Sequence, residues 1–471
     1  MRQNIDAPTP GAGSRRRWAT AAVLLSLFLA AMDSTIVGTL LPVISGEFTR
    51  PALYPWVMSA FIYCSVVAAA MGGTLADRLG EKRLLLAALL LFLAGMVAAA
   101  LAADMPQLIA ARAAQGAGAG LIMVLSYTLV GRLFGPGARG RMQGLLSGIW
   151  GLAAIAGPLL GGLVHELLGW RWVFFLNVPL ILVAAVLIAA TCPAGDKRGT
   201  SVSSPLHLPA LASFCLLVAV LLTAIMLPAM GVKGGLPWLL AALPLLGAVY
   251  WHNVAAKPAA DVLPRAFFTE PHLRAAALLT ALAAVALYGS VTLLPLYLAA
   301  VSRGATLTSG SLVLAAALGW VLGSALCGAL LVRTGYRTAA LCGAVLLAAG
   351  AAVLAFAPPT VSLWQLVLAQ VAIGLGIGCA ATTTLVLVQN SAAAEHLGRY
   401  TSAVQLFRNL GAAIGINTLA AIHLVQAGHG GDAAGAFQNS FSVLFALTVV
   451  ALLCATGLPG RARVRAAMEA A

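Results

Sequence analysis

Apolar stretches of about 20 residues recur along the chain between short polar breaks, and that is the length an α-helix needs to cross a hydrocarbon core of about 30 Å. Dividing the runs where charges, prolines or glycine clusters interrupt them predicts seven spans in the first half, at 18 to 41, 55 to 76, 84 to 103, 106 to 131, 142 to 165, 172 to 191 and 208 to 228. Seven more follow, at 236 to 253, 275 to 300, 307 to 331, 338 to 357, 361 to 388, 402 to 426 and 437 to 457. Pro228, Pro237 and Pro244 make the seventh and eighth the least regular. The pattern predicts an all-α membrane protein with fourteen transmembrane helices.

Composition narrows the class. Of 471 residues, 61% are hydrophobic and only 8% charged, far from the roughly 25% charged residues of a soluble protein, so a soluble enzyme is excluded. The net charge of +14 comes from 27 Lys and Arg against 13 Asp and Glu. With the N-terminus in the cytoplasm, these basic residues fall in cytoplasmic tails and loops, except Arg50, Arg171, Lys233 and Arg303 outside and Arg112 and Arg408 within helices. That asymmetry orients both termini toward the cytoplasm of a cell membrane and explains the charge by topology and lipid contact, with no nucleic acid partner. Arg15 to Arg17 before the first run suggest a signal peptide, but the run is too long for one and carries Asp33. The seven cysteines show no CxxC or Cys/His spacing, so no disulfide, metal or other cofactor is expected. No lysine stands in a GxxxxGK[ST] loop, which argues against ATP as direct fuel.

The halves repeat. Gly73-Thr-Leu-Ala-Asp77-Arg78-Leu-Gly80-Glu-Lys82-Arg83, after the second span, aligns at an offset of 255 with Gly328 to Thr338, after the tenth. At an offset of 258, Gly116, Gly118 and Gly120 fall on Gly374, Gly376 and Gly378. Spans 1 to 6 and 9 to 14 therefore form two parallel six-helix bundles, joined by an extra central pair, a construction used by secondary transporters. The symmetry breaks at the ionisable residues: Asp77 becomes Val332, Arg112 becomes Gln370, and Asp33 has no acidic counterpart near Tyr288.

These motifs carry a family resemblance. Gly73 to Arg83 resembles the loop 2-3 signature of the major facilitator superfamily, Arg112-Ala-Ala-Gln115-Gly116-Ala-Gly118 its helix 4 motif, and Gly157-Pro158-Leu-Leu-Gly161-Gly162 its helix 5 antiporter motif. Met32 to Val37 with Pro42, and Trp170-Arg171-Trp172 followed by Asn177-Val178-Pro179, are similar to the fourteen-helix drug:proton antiporter branch. The resemblance implies a proton-coupled exporter of lipophilic, cationic compounds; export of a metabolite, amino acid, siderophore or lipid is the alternative reading, and a non-transporting membrane sensor a remote one. The expected organisation is an N-terminal tail (1–17), an N-terminal bundle (18–195), a linker with two extra helices (196–272), a C-terminal bundle (273–458) and a C-terminal tail (459–471). Protons, small lipophilic molecules and membrane lipids are its expected partners, and no oligomeric state follows from the sequence.

Helix rise places the candidate residues. Asp33 falls about 22 Å past Trp18, and Arg112 about 9 Å into the descending fourth span, so the two share a depth. Ionisable groups there mark ion or substrate pathways. Asp33 and Arg112 are the expected coupling pair, against the alternative of a fixed structural salt bridge. The expected latch is Gly73, Asp77, Arg78, Gly80, Lys82 and Arg83, with Asp77 docking near Thr401 and Ser402 at the start of span 13, where free N–H groups favour a carboxylate. The loss of the acid at Val332 suggests that this latch is single. Gly157, Pro158, Gly161 and Gly162 are expected to govern packing and leak. Arg408 is expected to snorkel to the headgroups, with coupling as the alternative.

Overall fold

The computed structural model describes residues 12–48, 53–192, 207–227, 235–256, 261–301, 306–356, 361–428 and 433–460. Among the described residues there are helices and connecting turns and no strand. In chain order they are α1 (Ala12–Glu47), α2 (Tyr54–Leu79), α3 (Glu81–Ala100), α4 (Met105–Leu133), α5 (Pro136–Leu168), α6 (Arg171–Thr191), α7 (Leu208–Met226) and α8 (Leu236–Ala256). A short α9 (Ala266–Thr269) precedes α10 (Pro271–Val301), α11 (Thr306–Thr334), α12 (Tyr336–Phe356), α13 (Leu363–Ser391), α14 (Leu397–Gly428) and α15 (Ala433–Thr456).

Apart from α9, each helix takes up one expected span. Thirteen helices among the described residues are long and apolar enough to cross a membrane. α14 carries Gln405, Arg408, Asn409 and Asn417. Several helices outrun their apolar stretch: α1 starts at Ala12, ahead of its arginines, α5 at Pro136 and α14 at Leu397. Apolar counting sees only the lipid-facing length, whereas a helix continues until its caps stop it. Pro136 in the first turn of α5 is such a start signal.

The internal repeat is written into the packing. In the first bundle α4 lies against α2 and α3, α6 against α3, and α1 against α5 and α6; in the second α13 lies against α11 and α12, α15 against α12, and α10 against α14 and α15. Gly80 (φ 86°) and Gly335 (φ 81°) make the equivalent tight turns, in a region of backbone space that only glycine enters cheaply. Asp104 caps α4 by accepting from the Gln107 amide at 2.8 Å, and Ser362 caps α13 from the corresponding position. Gly116 and Gly120 lie against the Phe61 and Ser65 carbonyls of α2, while Gly118 faces Phe92 of α3. Gly374 and Gly378 meet the Ala316 and Trp320 carbonyls of α11 in the same way, with Gly376 facing Leu347 of α12. A Cβ at any of these six would strike its neighbour, so these glycines serve close helix packing.

The bundles meet along two seams, α2 with α14 and α5 with α11. The extra pair is central in the chain but lateral in space: α7 packs on α2 and α14, and α8 on α7. A second apolar core of Val66, Phe214, Leu222, Tyr250, Val262 and Leu406 fixes it there.

Candidate functional site

A buried polar cluster joins α1 to α4. Arg112 Nη1 donates to Asp33 Oδ2 at 2.6 Å, with the arginine side chain fully buried and the aspartate 2% exposed. Arg112 also donates to Gln115 Oε1 at 3.0 Å, and Gln115 Nε2 donates to Asp33 Oδ1 at 3.4 Å. The guanidinium lies 4.2 Å from the centre of the Phe61 ring, whose π face adds a favourable cation contact. Arg112 Nε and Nη2 have no acceptor. The estimate of common depth thus brings the pair together. Gln115 acquires a role the sequence reading did not give it, although its place three residues along the same helix face was a visible signal. In the second bundle the corresponding Gln370 accepts from Ser290 at 3.0 Å, a neutral pair.

The helix 5 motif closes on this cluster. Gly157 lies against Thr35 and Ile36 of α1, where a Cβ would collide with the Thr35 hydroxyl. That hydroxyl donates to the Ala153 carbonyl at 3.1 Å, so α5 is stitched to α1 two residues beyond Asp33. Gly161 is buried, a Cβ at Gly162 would meet only open space, and Pro158 sits in the helix between Gly157 and Gly161. Gly157→Leu is therefore expected to part α5 from α1 and open a substrate-free proton leak, whereas Gly162→Ala should be silent. Dye-reported proton flux in vesicles checks this; a tight Gly157→Leu protein, or a leaky Gly162→Ala one, would contradict it.

The second cluster lies at the end of the bundles that carries the Gly80 and Gly335 turns. Asp77, 7% exposed, accepts from the backbone amides of Gly398 and Arg399, each at 2.9 Å. These are first-turn N–H groups of α14, so the dock lies a turn ahead of Thr401 and Ser402 because the helix starts earlier than its apolar run. Arg132 and Arg399 stand 3.6 and 3.8 Å from the carboxylate. Buried Glu81, beside the dock, pairs with Arg132. Gly73 touches Gly398 and Ser402 so closely that a Cβ would enter the Gly398 carbonyl.

Of the remaining residues in that motif, Lys82 donates to the Ala189 and Cys192 carbonyls at 2.7 and 2.9 Å, tying down the end of α6. Arg78 is half-buried and Arg83 exposed. Glu81, Arg132 and Arg399 escaped the sequence reading, where the two arginines counted only toward topology.

The opposite seam is fastened too, by different chemistry. Gly328 and Gly140 meet backbone to backbone, as Gly73 and Gly398 do. Arg139 donates to the Gln389 carbonyl at 2.9 Å and to Asn390 Oδ1 at 2.6 Å. Gln389 Nε2 reaches the Tyr127 carbonyl at 3.2 Å. Where Val332 replaces the acid, the second seam has no carboxylate dock of this kind, and Arg139 of α5 links to the end of α13 instead.

The extra helices reach the first seam. Tyr250 of α8 donates to Asp261 Oδ1 at 3.1 Å, and the Asp261 carbonyl accepts from Arg399 at 2.9 Å. Burial pushes the Asp261 carboxyl up from its ordinary value. The Trp170 and Arg171 side chains both clasp Glu47 at the end of α1, and these donors hold its carboxyl below the usual range.

Arg408 does not snorkel. It is 6% exposed and lies inside, with Nη2 3.5 Å from Met123 Sδ of α4 and its guanidinium carbon 5.9 and 6.0 Å from the Tyr127 and Trp320 ring centres. Its face of α14 turns toward α4 and α11, away from lipid.

Two similar bundles, a buried ion pair in one of them and paired seams at one end thus make up the described structure. The profile of the Major Facilitator Superfamily matches residues 23–416. The chain belongs to this superfamily. It is a membrane transporter and not an enzyme. Among its relatives, the multidrug transporter protein MdtP of Bacillus subtilis (strain 168) is 27% identical over 427 residues, covering 89% of this chain and 77% of that one. An uncharacterized MFS-type transporter of Mycobacterium tuberculosis (strain ATCC 25618 / H37Rv) is 30% identical over 427 residues, covering 87% of this chain, which spans 59% of that relative's length. Among solved structures, the human organic anion transporter MFSD10 (TETRAN) superposes with a TM-score of 0.68 at 15% identity, covering 93% of this chain and 99% of its own. The proton:xylose symporter XylE bound to 6-bromo-6-deoxy-D-glucose gives 0.63 at 16% identity, covering 94% and 95%. Both likenesses concern the fold alone.

Proposed function

We propose that this superfamily member is a proton-coupled exporter of lipophilic compounds, seated in the cell membrane with the Gly80 turn and both termini in the cytoplasm. The observation that carries the reading is the Asp33–Arg112 pair, buried in a single bundle. Ionised, Asp33 is held by Arg112 and Gln115; a proton arriving from the outward-facing side would release that hold, and Arg112 would drive the proton off again on the other side. A cationic substrate would compete with Arg112 for the same carboxylate, which is the support for cations as cargo. The likeness to the multidrug transporter protein MdtP supports multidrug export.

In this orientation the fastened end is cytoplasmic, so the described conformation is closed toward the cell interior. The test is reconstituted vesicles with an imposed pH gradient: uphill efflux of a lipophilic cation should stop when an uncoupler collapses the gradient, and undiminished transport without any ion gradient would sink the reading.

Asp77 should set the balance between the two facing states. Its charge-assisted bonds to the start of α14 form only when this end is closed. Asp77→Asn weakens a carboxylate-to-helix contact worth about 0.3 to 2 kcal/mol, and roughly 1.4 kcal/mol changes a population ratio tenfold. The variant should therefore shift toward inward-open and turn over more slowly with normal insertion. Identical spin-label distances between the α2–α3 and α13–α14 turns in both proteins would leave Asp77 without that role.

A further inference from the structure

Arg408 is a cation without a counter-charge. Among the described residues no carboxylate lies within ion-pair distance of it, and the acid of the neighbouring cluster, Asp33, is already engaged by Arg112 at 2.6 Å. A guanidinium offers five N–H donors and no acceptor. Here the guanidinium meets a thioether, a weak acceptor, with two aromatic rings near the limit of cation–π range. A charge taken out of water at this depth is costly unless something pairs with it.

The surrounding groups share the deficit. Trp320 Nε1, beside the guanidinium, is buried without an acceptor, and so is Gln405 Nε2, one turn earlier on α14. Arg408 and Gln405 are three residues apart and so lie on one helix face. The group is also asymmetric between the repeats, since the position equivalent to Arg408 at the offset of 258 is Trp150. It stands where α14 of one bundle faces α4 of the other, a place substrate must pass when the bundles rock.

We propose that Arg408, Trp320 Nε1 and Gln405 Nε2 form a subsite that receives an anionic group, a carboxylate in the simplest case, on a lipophilic substrate whose apolar body lies against Tyr127 and Trp320. Two buried donors without acceptors neighbour one positive charge, and an acceptor from the ligand is what would complete them. This inference rests on the export reading above and extends its cargo beyond cations: Asp33 favours a positive group and Arg408 a negative one, at separate places in the same carrier.

Two dyes built on the same xanthene skeleton separate the charges, the anion fluorescein and the cation rhodamine 123. Equilibrium binding to the full-length protein in nanodiscs, read by fluorescence polarisation, needs no gradient. Fluorescein should bind the wild type, Arg408→Gln should weaken it roughly tenfold or more, and Arg408→Lys should keep part of the affinity. Rhodamine 123 should bind Arg408→Gln as tightly as the wild type or more so. Should Arg408→Gln fail to fold, Trp320→Phe keeps a ring and removes the donor, and it should weaken fluorescein alone. A wild type that binds rhodamine 123 but not fluorescein, or a variant that weakens both dyes equally, overturns the subsite. Arg408-dependent fluorescein binding in a protein that shows no proton-driven flux would instead refute the export reading and leave the subsite standing.

Discussion

Asp33→Asn is expected to abolish uphill transport while leaving gradient-free exchange of substrate measurable. Asn has nearly the shape of Asp and can still accept from Arg112, but it neither binds nor releases a proton, so the cycle loses its coupling step. Arg112 is then left as a fully buried cation facing only the Asn carbonyl, Gln115 and the Phe61 ring. Breaking a buried pair costs about 3–5 kcal/mol, of which those contacts offset part, so the variant should insert and fold with a lower melting temperature. Asp33→Glu should retain partial coupling. Arg112→Ala should be as damaging from the other side, since it removes the cation that pairs with Asp33; Arg112→Lys should be milder, because it keeps the charge and loses the fork. Counterflow and gradient-driven efflux in the same vesicles check all four. Full uphill efflux in Asp33→Asn would refute the assignment.

The second large effect is expected at the glycine contacts of the seams. Gly73 against Gly398 and Gly328 against Gly140 are backbone-to-backbone approaches related by the internal repeat. A leucine at Gly73 or Gly328 has no flexible side chain to push aside: it would meet a carbonyl, and the closed end would have to part. Overpacking alone costs about 1–3 kcal/mol, and a clash with backbone lies at or above the top of that range, enough to lower the closed population roughly tenfold or more. Gly73→Leu and Gly328→Leu should each insert normally, show longer label distances across this end, and lose most of their turnover. Gly328→Leu is the sharper test, since the Asp77 dock remains intact in it. Wild-type distances with normal transport in both variants would show that the glycines merely pack.

The lipid-facing architecture was legible without coordinates. A membrane span must satisfy its own backbone, so its length and apolarity are local properties, and the helix order, the parallel repeat and the shared depth of Asp33 and Arg112 followed from counting residues. Even α14, which carries Gln405, Arg408 and Asn409 in its first half, was legible as an apolar run. What escaped was the meaning of that polarity. Apolar lipid and apolar protein interior look alike in a sequence, and an arginine bound for headgroups looks the same as one aimed inward. Arg408 pointing inward, Arg139 replacing the missing acid at Val332, Arg132 and Arg399 attending Asp77, and the extra helices reaching the seam through Asp261 are all contacts between residues far apart in the chain. Their partners are chosen by how the helices pack, within a bundle for Arg132 and mostly across the two bundles for the others. A helix carries its length and its polar residues in its own sequence, but the direction in which those residues find a partner is a property of the packed pair.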